Sequence, residues 1–313
     1  MEEHLKRILQ WYPKITELKK IGTTFQNRSI YLLKISGKRV RNARKPAFWI
    51  DGGIHAREWV APHTVMYFIQ QLTGNYGYDP AITKLLDKMD FYLVPMLNPD
   101  GYMFAWENAD PYNRFWRKNR SNNRCTWWYN KYRCCAGVDI NRNFDAKWGK
   151  IGNTGSNPCE PLFHGERAFS EPESRPVRDF ILPRKRQIKA YISLHSYAQM
   201  WIYSWGYKKE FYPKDKADLH DVAVNASKAI KRYYGTKYKV GSLPDLLYTA
   251  SGTSKDWAKE LGIKYSYTIE LRPGEQVYYR GGFMLDRREL MPTAIETWEG
   301  IKVVAEAVIK EFA

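Results

Sequence analysis

Long hydrophobic runs are missing from this 313-residue chain. Its apolar stretches are short and broken by charge, which excludes a membrane helix of about 20 apolar residues. Linkers rich in Gly, Pro or Ser, internal repeats and low-complexity tracts are also missing. Length alone would allow one large domain or two small ones. With nothing to divide it, the chain reads as a single domain, residues 1–313. The opening "MEEHLKRILQWYP" lacks the basic-then-apolar layout of a secretory leader. Cysteine is scarce: Cys125, Cys134, Cys135 and Cys159 are all there is. None sits in a C-x-x-C pair, which argues against a Cys-rich zinc site. Four cysteines fit two disulfides in any of three connectivities, with adjacent Cys134 and Cys135 taking different partners.

Acidic residues are in deficit, 33 against 50 basic, for a net charge of +17. That balance favours acidic partners. The basic clusters "GKRVRNARK" and "LPRKRQIK" belong to no nucleic-acid motif, so no nucleic-acid function is expected. Sequons at Asn27, Asn119 and Asn225 add slight support for secretion.

What is present is an alternation of strand and helix signals. "RSIYLLKIS", "KPAFWIDGG", "KAYISLHSY" and "IKYSYTIELRPG" read as strands. "FYLVPMLNPDG" does too, although Pro95 argues for an edge or bulged place. "WVAPHTVMYFIQQL", "KADLHDVAVNASKAIKRYYG" and "PTAIETWEGIKVVAEAVIKEF" have helical spacing. Pro62 is tolerable in a first turn, and Gly235 is a stop. Glu107 to Phe169 shows little periodicity and reads as long loops. The pattern predicts an α/β fold, with a central mixed, mostly parallel twisted sheet flanked by helices on both faces. Such sheets bind ligands beyond the carboxyl ends of their strands.

His55, His195 and Glu270 each follow an apolar strand run. His55 and Glu58 form an H-x-x-E pair, either a turn whose Glu caps the next helix or half of a zinc site. His195 is the best third ligand, while His4, His63, His164 and His220 lie on helices or in a polar loop. A zinc triad and a set of satisfied structural histidines both remain open from these residues alone.

Seven motifs occur in one order: "GIHAREW", "NPDGY", "NRFWRKNRS", "GVDINRNFD", "SLHSY", "ASGTSKDW" and "YTIELR". Together they resemble the zinc metallocarboxypeptidases of the carboxypeptidase A and B group, over nearly the whole chain. The resemblance implies one zinc ion held by His55, Glu58 and His195, with Asp139 fixing the His55 ring. It implies Glu270 as general base, in place of a simple ion pair with Arg272, and Arg117 as the oxyanion partner. Asn141 and Arg142 then clamp the substrate's terminal carboxylate, and Tyr248 closes over it. Arg57, Ser196, Tyr197 and Tyr279 line subsites upstream of the cut. Lys118, Arg120 and Arg124 in the same loops read as solvated charges.

The resemblance further implies a secreted, extracellular and digestive monomer, freed from a removed propeptide and open to proteinaceous carboxypeptidase inhibitors. Its substrates are peptide or protein C-termini. It implies a Cys135–Cys159 disulfide, which leaves Cys125 and Cys134 to each other. The chain departs from the pattern in two places. "CTWWYNKYRC" looks inserted relative to the pancreatic enzymes, and Ser204 stands where Pro is frequent. Lys255 falls at the floor of the pocket for the C-terminal side chain. If it faces the pocket, it favours C-terminal Glu, then Asp, unless Asp256 neutralises it, with Leu243 and Ile202 as apolar wall. A lysine in a helix's first turn, pointing to solvent with Thr253 or Ser254 as cap, is the bland alternative. A catalytically inactive peptide-binding homologue is the other reading.

Overall fold

The computed structural model describes residues 1–38, 45–107, 110–277 and 279–313, apart from the side chains of Tyr279 and Arg280. Most of the first basic cluster, residues 39–44, lies outside the described residues. Among the described residues there are ten strands: β1 (Thr16–Thr23), β2 (Ser29–Ile35), β3 (Ala47–Asp51), β4 (Asp90–Val94), β5 (Arg124–Trp128), β6 (Lys131–Cys135), β7 (Ile188–Ala198), β8 (Met200–Tyr203), β9 (Lys239–Ser242) and β10 (Tyr265–Gly274). Eight form one sheet in the order β1-β2-β4-β3-β7-β10-β8-β9. Its centre, β4-β3-β7-β10, is parallel, with antiparallel pairs toward both edges. This is the mixed α/β sheet that the strand–helix alternation predicts.

Both faces of the centre are covered, so its strands read as unbroken apolar runs. Successive residues point to opposite faces. Phe48 and Ile50 join one core with Phe68, Ile230 and Trp298 from the helices Val60–Asn75, Lys216–Tyr234 and Leu290–Phe312. Trp49 joins the other with Val177, Phe180 and Trp257 from Ser174–Ile181 and Ser254–Glu260. Burying side chains of this size stabilises the fold by about 1.5–3 kcal/mol each. Pro62 lies in the first turn of its helix, and Gly235 ends its own helix at φ +73°.

Three expectations need correction. Pro95 does not push β4 to an edge: the strand ends at Val94, between β2 and β3, so the proline interrupts no ladder bond. The middle stretch is not all loop, because β5 and β6 form an antiparallel hairpin. Its strands are short and mostly exposed, so they carry no strong apolar alternation. Lys118 is not solvated: it is buried, and its Nζ donates to the Pro158 carbonyl at 2.7 Å. Arg120 stacks over Phe104, and Arg124 pairs with Glu166. The disulfides are Cys125–Cys134 within the hairpin and Cys135–Cys159 at its base. The Ser204–Trp205 peptide is cis.

Of the sequons, Asn27 and Asn225 are exposed, but Asn119 is buried. Its Nδ2 donates to Glu171 Oε2 at 2.8 Å and Glu173 Oε2 at 2.7 Å. Burial pushes the Glu173 carboxyl up to about 8 from its ordinary 4.5, with neighbouring Glu171 adding to the effect. The unfolded chain ionises Glu173 first, so this group's stabilisation is complete below about 4.5 and is lost as pH rises to about 8. Glu173→Gln keeps the shape and removes the titration. Its unfolding free energy from urea titration should gain on the parent's across that window, at up to about 1.4 kcal/mol per pH unit. Parallel pH profiles for the two proteins would rule this out.

Candidate metal centre and cleft

The carboxyl ends of β3, β7 and β10 open into one cavity of about 370 Å³. His55 and Glu58 enter from the turn after β3, His195 from β7 and Glu270 from β10. His55, Glu58 and His195 are all buried and offer ligand atoms within 4.8 Å of one another. His55 Nδ1 lies 2.7 Å from Glu58 Oε1, and His195 Nδ1 lies 3.0 Å from Glu58 Oε2. The two Nδ1 atoms face each other at 3.1 Å. Two imidazoles and one carboxylate, converging in a buried corner of a cleft, are the donor set of a catalytic zinc site, so these residues fit one zinc ion. Glu58 is no helix cap: its oxygens face the histidines and accept from the Ser196 N–H at 3.3 Å.

Around these three, hydrogen bonds set which ring nitrogen is available. His55 Nε2 donates to Asp139 Oδ1 at 3.1 Å, leaving Nδ1 for a metal. Asp139 Oδ2 also accepts from Arg117 Nε at 2.8 Å. On the other ring, Ser193 Oγ lies 3.2 Å and Asn141 Nδ2 3.3 Å from His195 Nε2. With Nδ1 turned to a metal, Nε2 carries the proton and Ser193 accepts it. Ser193 passes its own hydrogen to Asp51 Oδ1 at 2.7 Å. Asp51 and Ser193 escaped the sequence reading. The only trace there is a polar residue closing one apolar strand, Asp51, and another inside the second, Ser193, two places before His195, and their pairing, Asp51 opposite Ser193, is a fact of register.

Burial dominates the electrostatics of the site. It would raise Glu58, but the facing His55 and His195 hold that carboxyl far below its ordinary range. Burial likewise opposes Asp139, which Arg117 and His55 hold well down. Glu270, with no strong partner, is pushed by burial up to about 7, against the pull of His195. Arg272 does not pair with it; that guanidinium is taken by Glu296, Glu289 and Thr236.

The structure brings Arg57, Arg117, Asn141, Arg142, Ser196, Tyr197, Tyr248, Lys255 and Glu270 to the same cavity. Arg142 is buried; its Nε donates to Asn153 O at 2.8 Å and its Nη1 to Asn141 O at 2.9 Å, while Nη2 has no partner. Gly252, at φ +72°, lets a second strand of backbone press on Arg142: a Cβ there would lie 2.2 Å from the Arg142 carbonyl oxygen. Tyr248 stands half-exposed at the rim. Phe283, which sequence reasoning missed, lines the wall under the Arg57 guanidinium, 4.2 Å from its ring centroid. Tyr279 begins a short helix, but its side chain lies outside the described residues.

Lys255 does not reach solvent. It is 1% exposed at the cavity floor, beside Ile202, Leu243 and Thr268. Its Nζ donates to Asp256 Oδ1 at 2.6 Å, and Asp256 Oδ2 accepts from the Gly206 N–H at 2.8 Å. Burial lowers the Lys255 pKa, and Asp256 opposes that fall.

Known proteins are similar to this chain in sequence and fold. A family model described as zinc carboxypeptidase matches residues 1–300. The chain belongs to the zinc carboxypeptidase family. It is 43% identical over 296 residues to carboxypeptidase A2 of Mus musculus, covering 95% of this chain and 66% of that protein. To carboxypeptidase B of Astacus astacus it is 41% identical over 299 residues, covering 95% and 91%. A crystal structure of thrombin-activatable fibrinolysis inhibitor superposes with a TM-score of 0.88 at 37% identity, covering 99% of this chain and 73% of that one. The chain thus spans just under two thirds of the mouse relative's length.

Ser193→Ala should lower zinc affinity by about tenfold, the lower end for residues that orient metal ligands. Competition with a chelator measures this directly. Unchanged affinity would mean that His195 is held without Ser193.

Proposed function

We propose that this chain is a zinc-dependent exopeptidase that removes the last residue of a peptide, with preference for C-terminal Glu, then Asp. The observation that carries the reading is the unpartnered, buried Nη2 of Arg142, in one cavity with the His–Glu–His cluster. A desolvated guanidinium in that position calls for a carboxylate, and a chain terminus supplies one. An internal segment leaves it unpaired, at a cost on the order of 2–5 kcal/mol.

When bound, zinc supplies the Lewis acid that polarises the scissile carbonyl and acidifies the attacking water. Arg142 and Asn141 hold the terminal carboxylate, and Tyr248 closes from the rim. Glu270 takes a proton from the attacking water and returns it to the leaving amine nitrogen as the C–N bond breaks. Its raised carboxyl, near the middle of the pH range, suits both halves of that task. Arg117 places fixed positive charge where the carbonyl oxygen becomes negative. Arg57, Ser196, Tyr197 and Tyr279 guide the residues upstream.

Lys255 sets the preference for the departing side chain. An ammonium has three N–H groups, and Asp256 takes one. Asp256 therefore reduces the charge at the floor without saturating its donors, and a substrate carboxylate completes them. A substrate Lys or Arg would meet a like charge. The second reading, an apolar preference, draws on the same Asp256 contact and on the Ile202 and Leu243 walls. Two disulfides support export to an oxidising, extracellular setting, and a digestive role belongs to the same reading. Bovine thrombin-activatable fibrinolysis inhibitor has been solved with a tick carboxypeptidase inhibitor, and inhibitors of that kind are fitting partners for this cleft.

Glu270→Gln should keep its zinc and lose about 10²–10⁴-fold in turnover. Near-parent turnover would remove Glu270 from the base role. On peptides ending in Glu, Phe and Lys, kcat/KM should rank Glu first for the parent, and Lys255→Ala should bring Phe ahead. A parent that prefers Phe would favour the apolar reading, and one that prefers Lys, or a ranking indifferent to Lys255, would remove Lys255 from the selecting role.

A further inference from the structure

Beside the catalytic cavity lies a second groove of about 500 Å³. The two share Arg57 and Arg117, so a peptide leaving the cleft can pass directly into it. Lys118 and Arg120 add two more cations, and among the described residues no carboxylate lines the groove. Cys134, Cys135 and Cys159 form its far wall, which is the base of the β5–β6 hairpin.

The hairpin continues the same chemistry outward. Tyr132 is two residues from Cys134, on the same hairpin face, and sits opposite Trp127. Their rings meet edge to face at 5.9 Å, yet Trp127 is 69% and Tyr132 64% exposed. Tyr129 at the turn is exposed as well. Residues 124–135 contain Arg124, Lys131 and Arg133 and no acid. Arg124 is taken by Glu166, while Lys131 and Arg133 flank Tyr132 on the opposite face of the narrow ribbon, exposed and meeting no carboxylate among the described residues. Trp127 and Tyr132 against each other, and Tyr129 against Trp128, make an exposed apolar patch of the kind that marks an interaction site. The two disulfides fix the hairpin both internally and to the loop at Cys159. Its surface is thus pre-organised, and little ordering entropy opposes binding.

We infer that this hairpin and the cationic groove at its base form an extended docking surface for the acidic, aromatic-bearing upstream stretch of the substrate chain. The inference rests on the exopeptidase reading for the direction in which the peptide leaves the cleft. Aromatic pairs and arginines are the side chains that concentrate binding energy at such surfaces. Arg117 is held by Asp139 and the Lys118 ammonium by the Pro158 carbonyl, so Arg120 in the groove and Lys131 and Arg133 on the hairpin carry most of the selection for acidic over neutral or basic sequence.

The test uses a blocked dipeptide and two longer peptides that end in the same dipeptide. One longer peptide carries Glu and Tyr upstream, and the other carries Gln in place of each Glu. Binding of the longer peptides is measured on the full chain, with Trp127→Ala/Tyr132→Ala and Lys131→Gln/Arg133→Gln as variants. The acidic peptide should bind the parent more tightly than the Gln peptide. Each variant should weaken acidic-peptide binding by about tenfold, a typical loss for a hot-spot truncation. Dipeptide turnover should not change, because the hairpin does not reach the cut. Equal binding of the two longer peptides, or binding indifferent to both variants, overturns the docking surface. A parent that fails to cleave the dipeptide overturns the exopeptidase reading instead, and the binding measurement still decides for or against the surface.

Discussion

Asp51, Ser193, His195 and Glu270 come together because β3, β7 and β10 run parallel and in register. Asp51 sits opposite Ser193, and His195 sits opposite Glu270. A slip of one residue would turn each of these side chains to the other face of the sheet. The apolar residues that precede them prevent the slip. Phe48, Ile50, Ile192 and Ile269 must face one core while Trp49 and Tyr191 face the other. The hydrophobic pattern that builds the sheet therefore also aims the polar residues at its end.

The charges of the site persist only as a connected set. Arg117, Asp139, His55, Glu58 and His195 form one chain of contacts from the cleft wall to the strand end. Each member is desolvated, and each is held in its ionised or neutral form by the next. Removing any one leaves a neighbour buried without its counter-charge, which is far more costly than losing a surface pair. Glu270 is held apart from that chain. Its carboxyl keeps a proton affinity that its paired neighbours have lost.

Much of this was legible in the sequence, and the limits are physical. The strands and long helices declared themselves through periodicity, and the first ligand pair through spacing. His195 and Glu270 could be proposed because both end apolar runs. The hairpin left no such trace, since an exposed two-stranded ribbon needs no buried face. Lys118 looked like an ordinary surface lysine because its burial comes from a loop at Pro158, forty residues away in the chain. Asp51 and Ser193 are unremarkable letters until strand register sets them side by side. The Lys255–Asp256 contact was foreseeable as adjacency, but the Gly206 amide that pins Asp256 was not.

Arg272 bears on the chemistry although it touches none of it. It stands two residues beyond Glu270 in β10, and its guanidinium is engaged by Glu289, Glu296 and Thr236. Glu296 is fully buried in the C-terminal helix, so it cannot release its partner without being stranded itself. The long final helix thus acts as an insulator. It keeps the nearest cation on the strand occupied, and so preserves the basicity of a carboxylate that it never meets.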